Sequence, residues 1–196
     1  MKSLEHPARS FMEFCKLRLQ GLAGDQRGVS AVEFALMLPL MVALYLGVVE
    51  ISQGIAAQRK MTMTTRTVAD LVSQTTNVAN TYMTNAMNAA TAVMAPFPDS
   101  KLKITVSSIK IADGKATVSW SDTKNGTARA IGSTVTLPAA LVADNGSLIW
   151  SEVEYAYTPT IGYVMTGTLT LKDFLYMRPR LSACVTREAK QSTCPS

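Results

Sequence analysis

Residues 27–50 read RGVSAVEFALMLPLMVALYLGVVE, and this stretch decides the architecture. From Phe34 to Val49 it runs 16 residues without a charge, and Val29–Val32 extend it backwards across one acid, Glu33. A helix from Val29 to Val49 rises about 31 Å, roughly one hydrocarbon thickness of a bilayer. Pro39 and Gly47 lie inside it. A bilayer helix tolerates them because neighbouring helices satisfy the freed backbone groups, and a kink is expected near Pro39. The mean hydropathy of the 196-residue chain, +0.15, comes mainly from this one segment.

The flanks set an orientation. Ahead of the segment stand Lys2, Arg9, Lys16, Arg18 and Arg27 against Glu5, Glu13 and Asp25; beyond it come Arg59, Lys60 and Arg66. The excess favours a cytoplasmic N-terminus and an exported C-terminal part. At 47% hydrophobic and 17% charged, the chain is too apolar for a disordered protein. Its net charge of +5 is spread along the chain, so the basic pI of 9.2 is no argument for nucleic-acid binding.

Three readings of the N-terminal region remain open. One is a plain signal anchor. A second is a secretory signal cut near Gly54-Ile55-Ala56, although Glu50 sits where the small-residue cleavage region should begin. The third rests on Arg27-Gly28-Val29-Ser30-Ala31-Val32-Glu33-Phe34, which places a basic residue and a glycine before an apolar helix and a glutamate five residues after the glycine. A protease must hold its substrate extended, and Gly28 offers no side chain to obstruct it. Cleavage after Gly28 creates an α-amine on Val29. An unpaired carboxylate in lipid costs about 2.5–3.5 kcal/mol at mid-bilayer and less near the interface. The amine of a neighbouring subunit would neutralise Glu33 and turn that cost into a force for side-by-side packing. A simpler role for Glu33 is to complement the helix dipole or to reach back to the headgroups.

Beyond the apolar segment, Ile55 to about Ala95 reads as one long helix. Val68, Leu71, Val72, Val78, Tyr82, Ala86, Ala90 and Val93 recur at three- and four-residue spacing. Its polar side is built of Asn, Thr, Ser and Gln, without a charge from Leu71 to Pro98. After Pro98 the period switches to two. Leu102, Ile104 and Val106 alternate, Asp113-Gly114 gives a hairpin turn, and Ala116, Val118 and Trp120 alternate in turn. Val135 and Leu137 read as a short strand ending at Pro138, and Ala139–Ala143 as one helical turn. Leu148–Tyr157 is the longest strand, with Ile149, Val153, Tyr155 and Tyr157 on one face and Glu152 and Glu154 on the other. Thr168–Met177 is the last, with a bulge expected at Lys172-Asp173. The fold class is therefore α+β: a single N-terminal transmembrane helix continuing into a long exported helix, packed on an antiparallel sheet of four to five strands.

Cys184 and Cys194 lie in the exported tail and read as a disulfide worth roughly 2–3 kcal/mol, pinning the tail more than the core. Cys15 lies in the leader. The only histidine, His6, precedes the membrane segment, so the exported part lacks the commonest general base and metal ligand. Glu152 and Glu154 are the one carboxylate pair that invites an envelope-hydrolase reading; a solvated strand face explains them more simply. No phosphate loop or nucleophile elbow occurs. No catalytic, cofactor or metal residue is expected, and neither is a small-molecule substrate.

RGVSAVEFALMLPLMVALYLGVVE, RKMTMTTRTVADLV, SEVEYAYTP and MRPR together resemble the TadE-like proteins of the tight-adherence (Tad/Flp) pilus system, with TadG-like proteins as close relatives. The resemblance implies a pseudopilin that a prepilin peptidase cuts between Gly28 and Val29, with Glu33 as the acid of recognition and packing. It implies a cytoplasmic leader over residues 1–28, a transmembrane helix over 29–51 and a periplasmic domain over 52–196. Expected partners are inner-membrane lipid, the peptidase, other pilins or pseudopilins and the inner-membrane assembly platform. A secreted or signal-anchored binding domain without a pilus role is the alternative.

Overall fold

The computed structural model of the chain describes residues 28–142, 146–162, 166–190 and 194. The chain divides into two units after Val48. Helix α1, Val29–Ser73, begins in the first and ends in the second, with Pro39 inside it.

In the first unit α1 is exposed on every side from Val29 to Val42, and only Ala43, Leu46 and Gly47 near its end are partly or fully covered. Val29, Val32, Phe34, Leu36, Met37, Leu40 and Met41 are all exposed. A stretch that is apolar and exposed all round is a candidate for burial in lipid. Among the described residues α1 is the one helix long and apolar enough to cross a membrane.

In the second unit the same helix becomes one-sided. Ala57, Met61, Val68 and Val72 are buried at helical spacing, with the hydroxyls of Thr64 and Thr65 turned onto the carbonyls of Lys60 and Met61. The single long helix expected to Ala95 is in fact two. In residues 73–78, Ser-Gln-Thr-Thr-Asn-Val, the Ser, Thr and Asn residues are poor helix formers whose side chains compete for the backbone. The Ser73 hydroxyl donates to the Asp70 carbonyl at 2.9 Å and the Thr75 hydroxyl to the Asn77 carbonyl at 2.9 Å. Strand β1, Asn77–Val78, then pairs in parallel with β6, Thr186–Arg187. Helix α2, Asn80–Val93, doubles back along α1: the Tyr82 hydroxyl donates to the Leu71 carbonyl at 2.7 Å, and Met94 lies against Thr64.

The sheet is four-stranded and antiparallel, in the order β3-β2-β4-β5. Its strands are β2 (Leu102–Ala112), β3 (Lys115–Lys124), β4 (Gly146–Tyr157) and β5 (Leu169–Met177). Asp113 and Gly114, with φ of 50° and 69°, make the primed turn joining β2 to β3. Leu102, Ile104, Val106, Ile149, Val153, Tyr155 and Tyr157 form the face that packs on the helices. A smaller core lies on the other face, where Ile109, Ile111, Ala116, Leu148 and Trp150 are covered by Val135, Leu137 and Leu141.

Three local expectations are corrected. The bulge is not at Lys172-Asp173, where the β4–β5 register runs unbroken. It lies in β3, where Trp120 opposes Ser108 and Val118 opposes Ile109, leaving Ser119 over. Trp120 therefore does not share a face with Ala116: the extra residue sends Trp120 into the main core and Ala116 into the smaller one. Nor do Val135 and Leu137 make a strand. Thr134 forms an isolated bridge to Thr117, and the chain around it hydrogen-bonds Ala116 and Val118, covering the outer edge of β3. The helical turn that follows is a 3₁₀ turn, Ala139–Leu141, and Ala143 lies outside the described residues.

The C-terminal segment is more than a pinned tail. The Trp120 indole donates to the Val185 carbonyl at 2.8 Å in the main core, and Val185 is buried there. Trp120→Phe removes the donor, orphans that carbonyl and leaves a void, and should cost about 2–4 kcal/mol. Urea denaturation of the purified protein, followed by far-ultraviolet circular dichroism, checks this.

Candidate functional site

Gly28, Val29 and Glu33 fall within about one turn at the start of α1. Gly28 occupies a 3₁₀ position directly before the helix. A Cβ built on it would meet nothing within 4 Å, so the fold itself has no steric need for glycine there. Val29 is 53% exposed, and Glu33 is exposed on the same helical face, four residues and about 6 Å further along. Among the described residues Glu33 forms no ion pair. The leader, with His6 and Cys15, lies outside the described residues.

The other pair singled out in the sequence, Glu152 and Glu154, stands on the face of β4 away from the helices. Each acid has its own cation. Arg129 grips Glu152 through two bonds, Nε to Oε2 and Nη2 to Oε1, both 2.7 Å. The same guanidinium lies 3.8 Å from the centre of the Trp150 ring. Trp150 in turn stacks on Tyr176 at 5.5 Å, and Phe174 meets Tyr176 edge-on. The bond to Glu152 raises the Arg129 pKa further. Lys172, directly across the register from Glu154, sits 2.6 Å from its carboxylate and holds that carboxyl below the ordinary range. A glycosidase-type acid needs its pKa raised, which is the opposite shift. The two acids edge a polar groove of about 580 Å³ shared with Lys103, Thr105 and Asn125. The arrangement clamps a strand and braces an aromatic stack. Arg129 has no sequence signal: it lies in a turn-rich stretch and reaches its partners only through the fold.

The tail makes a third cluster. Cys184 and Cys194 are joined by a disulfide with Cα atoms 5.6 Å apart. Three residues past Cys184, Arg187 meets Asp122 at 2.6 Å and donates to the Val78 carbonyl at 2.9 Å, while Lys190 meets the same Asp122 at 3.1 Å. Arg180, in the MRPR motif, bridges to Asp70 near the end of α1. Among the described residues no group of His, Cys, Asp and Glu side chains is placed to hold a metal ion.

These features define a protein with one candidate membrane anchor and an α+β body. Residues 28–70 match the family model of TadE-like proteins, so this segment, the candidate anchor and the turns that follow it, is TadE-like. The match opens at Gly28 and closes within α1. Neither a curated protein nor a solved structure matches the chain.

Because the Glu154 carboxyl titrates lower in the folded chain than in the unfolded one, its contribution is complete above the unfolded value and is lost as pH falls through the folded one. Both partners are largely solvated, so Lys172→Ala should cost less than about 1 kcal/mol. It should also remove part of the stability lost between about pH 5 and pH 3, measured by urea titration at each pH.

Proposed function

We propose that this protein is a membrane-anchored minor pseudopilin of a Tad-type pilus, acting in assembly by packing rather than by catalysis. The observation that carries the reading is the TadE-like match beginning at Gly28, at the head of a helix whose surface is exposed on every side from Val29 to Val42. In this reading a prepilin peptidase cuts after Gly28. The new amine on Val29 pairs with Glu33 of a neighbouring subunit, and the apolar helices lie side by side in the inner membrane. The α+β body then stands in the periplasm, facing other pilins or the assembly platform.

Two features weigh against release as a secreted domain. α1 runs unbroken through Gly54-Ile55-Ala56, and Ala57, just after the expected cut, is wholly buried. Glu50, on the other side of that cut, is also buried in the body; burial of the Tyr157 phenol, and after it the charge of Glu50, raise the Tyr157 pKa. Cutting there would remove a packed turn. The paired state of Glu152 and Glu154 likewise favours assembly over hydrolysis.

N-terminal sequencing of protein from the membrane fraction should begin at Val29; a start near Ala57 would support secretion instead. Glu33→Ala should leave the protein in the membrane and reduce surface pili and adherence by at least about tenfold, the loss expected when a buried charge pair is removed from a packing interface. Unchanged piliation in that variant rules out the packing role.

A further inference from the structure

Immediately beyond the apolar segment, the body holds an open cavity of about 1020 Å³. One wall is a stripe of α1, Ile55-Arg59-Met63, at four-residue spacing. The floor is aromatic: Phe97 stands edge-on to Tyr155 and Tyr157, with ring centres 6.1 and 6.3 Å apart. Lys60 and Lys101 complete the basic lining, Lys101 being held by the Thr158 hydroxyl at 3.0 Å.

Two properties distinguish this cavity from the groove beside Glu152. It is lined by three cations and no carboxylate, and none of the three forms an ion pair among the described residues. Its apolar wall is also exposed, with Ile55 50% and Met63 55% accessible. Arg59 lies about 12 Å along the helix past Ile51, and a helical side chain leans back toward the N-terminal turns. With the apolar segment spanning the hydrocarbon, that reach returns the guanidinium to the headgroup layer.

The geometry points to a binding site for one anionic phospholipid, its phosphate between Arg59, Lys60 and Lys101 and its first acyl carbons against Ile55, Met63 and Phe97. The occupant is chosen by complementarity: a cationic rim with no carboxylate in its lining, set beside an exposed apolar wall and an aromatic floor. Each basic side chain close to an anionic lipid surface contributes about a fivefold preference. Three converging on one headgroup therefore select strongly against a zwitterionic lipid. The inference rests on the anchor reading above, but not on cleavage or on a pilus role.

The test uses the full chain in nanodiscs of mixed phosphatidylcholine and phosphatidylglycerol, with retained lipid read by native mass spectrometry after gentle detergent release. One phosphatidylglycerol should be retained in preference to phosphatidylcholine by at least about tenfold. The triple variant Arg59→Gln, Lys60→Gln, Lys101→Gln should bring the two lipids to parity, whereas Lys110→Gln, on β2 and outside the cavity, should change nothing. Arg59→Glu alone, folded by circular dichroism, serves if the triple variant does not fold, and should also abolish the preference. Equal retention by the parent, or a preference that survives these substitutions, overturns the site. So does inorganic phosphate bound in detergent with no lipid retained, or a second copy of the chain held in place of lipid. Nanodiscs of phosphatidylcholine alone separate the two readings. Failure of the parent to insert there overturns the anchor and the lipid site together, whereas insertion without selectivity overturns only the lipid site.

Discussion

One helix carries two kinds of surface, and the rest of the structure answers to that. Over its first turns α1 shows Val, Leu, Met and Phe on every side, a surface that water would penalise at about 25 cal/mol for each square ångström. Past Glu50 it narrows to a single buried stripe through Ala57, Met61, Val68 and Val72. A helix of that second kind gains most of its stability from a partner surface. The sheet supplies it: Ile104, Val106, Ile149 and Val153 present one continuous apolar face.

Covering that face takes more than the helix. Ser119 is spent as a bulge so that Trp120 turns toward α1, and the indole is then satisfied by the carbonyl of Val185, far away in sequence. Arg187 brings its charge to Asp122 and one Nη1 donor to the Val78 carbonyl of β1. The break in the helical region at Ser73–Val78 makes room for this return of the tail, because β1 needs an extended partner and β6 provides it. The disulfide at Cys184 closes a segment already woven into the core.

The outer face of the sheet follows a different rule. Glu152 and Glu154 alternate with buried residues as period two requires, yet they are tied down by Arg129 and Lys172 instead of standing free in water. Arg129 closes the small second core by lying over Trp150, which stacks on Tyr176. Among the described residues the cations of the cavity beside α1 form no such ion pairs, and that contrast separates a structural groove from a candidate ligand site.

The apolar helix, the two-residue period of the strands, the Asp113-Gly114 turn and the Gly28–Glu33 pattern were all legible in the chain. Each is a property of neighbours in sequence: continuous hydropathy, alternation, backbone freedom at a turn, spacing along one helix. The break after Ser73, the side to which Trp120 points, the Arg129 clamp and the cavity between Arg59 and Lys101 were not. Those depend on which distant backbone groups and charges meet, and local periodicity holds no record of that. A single extra residue in β3 reverses every facing beyond it, and only pairing with β2 decides where that residue sits.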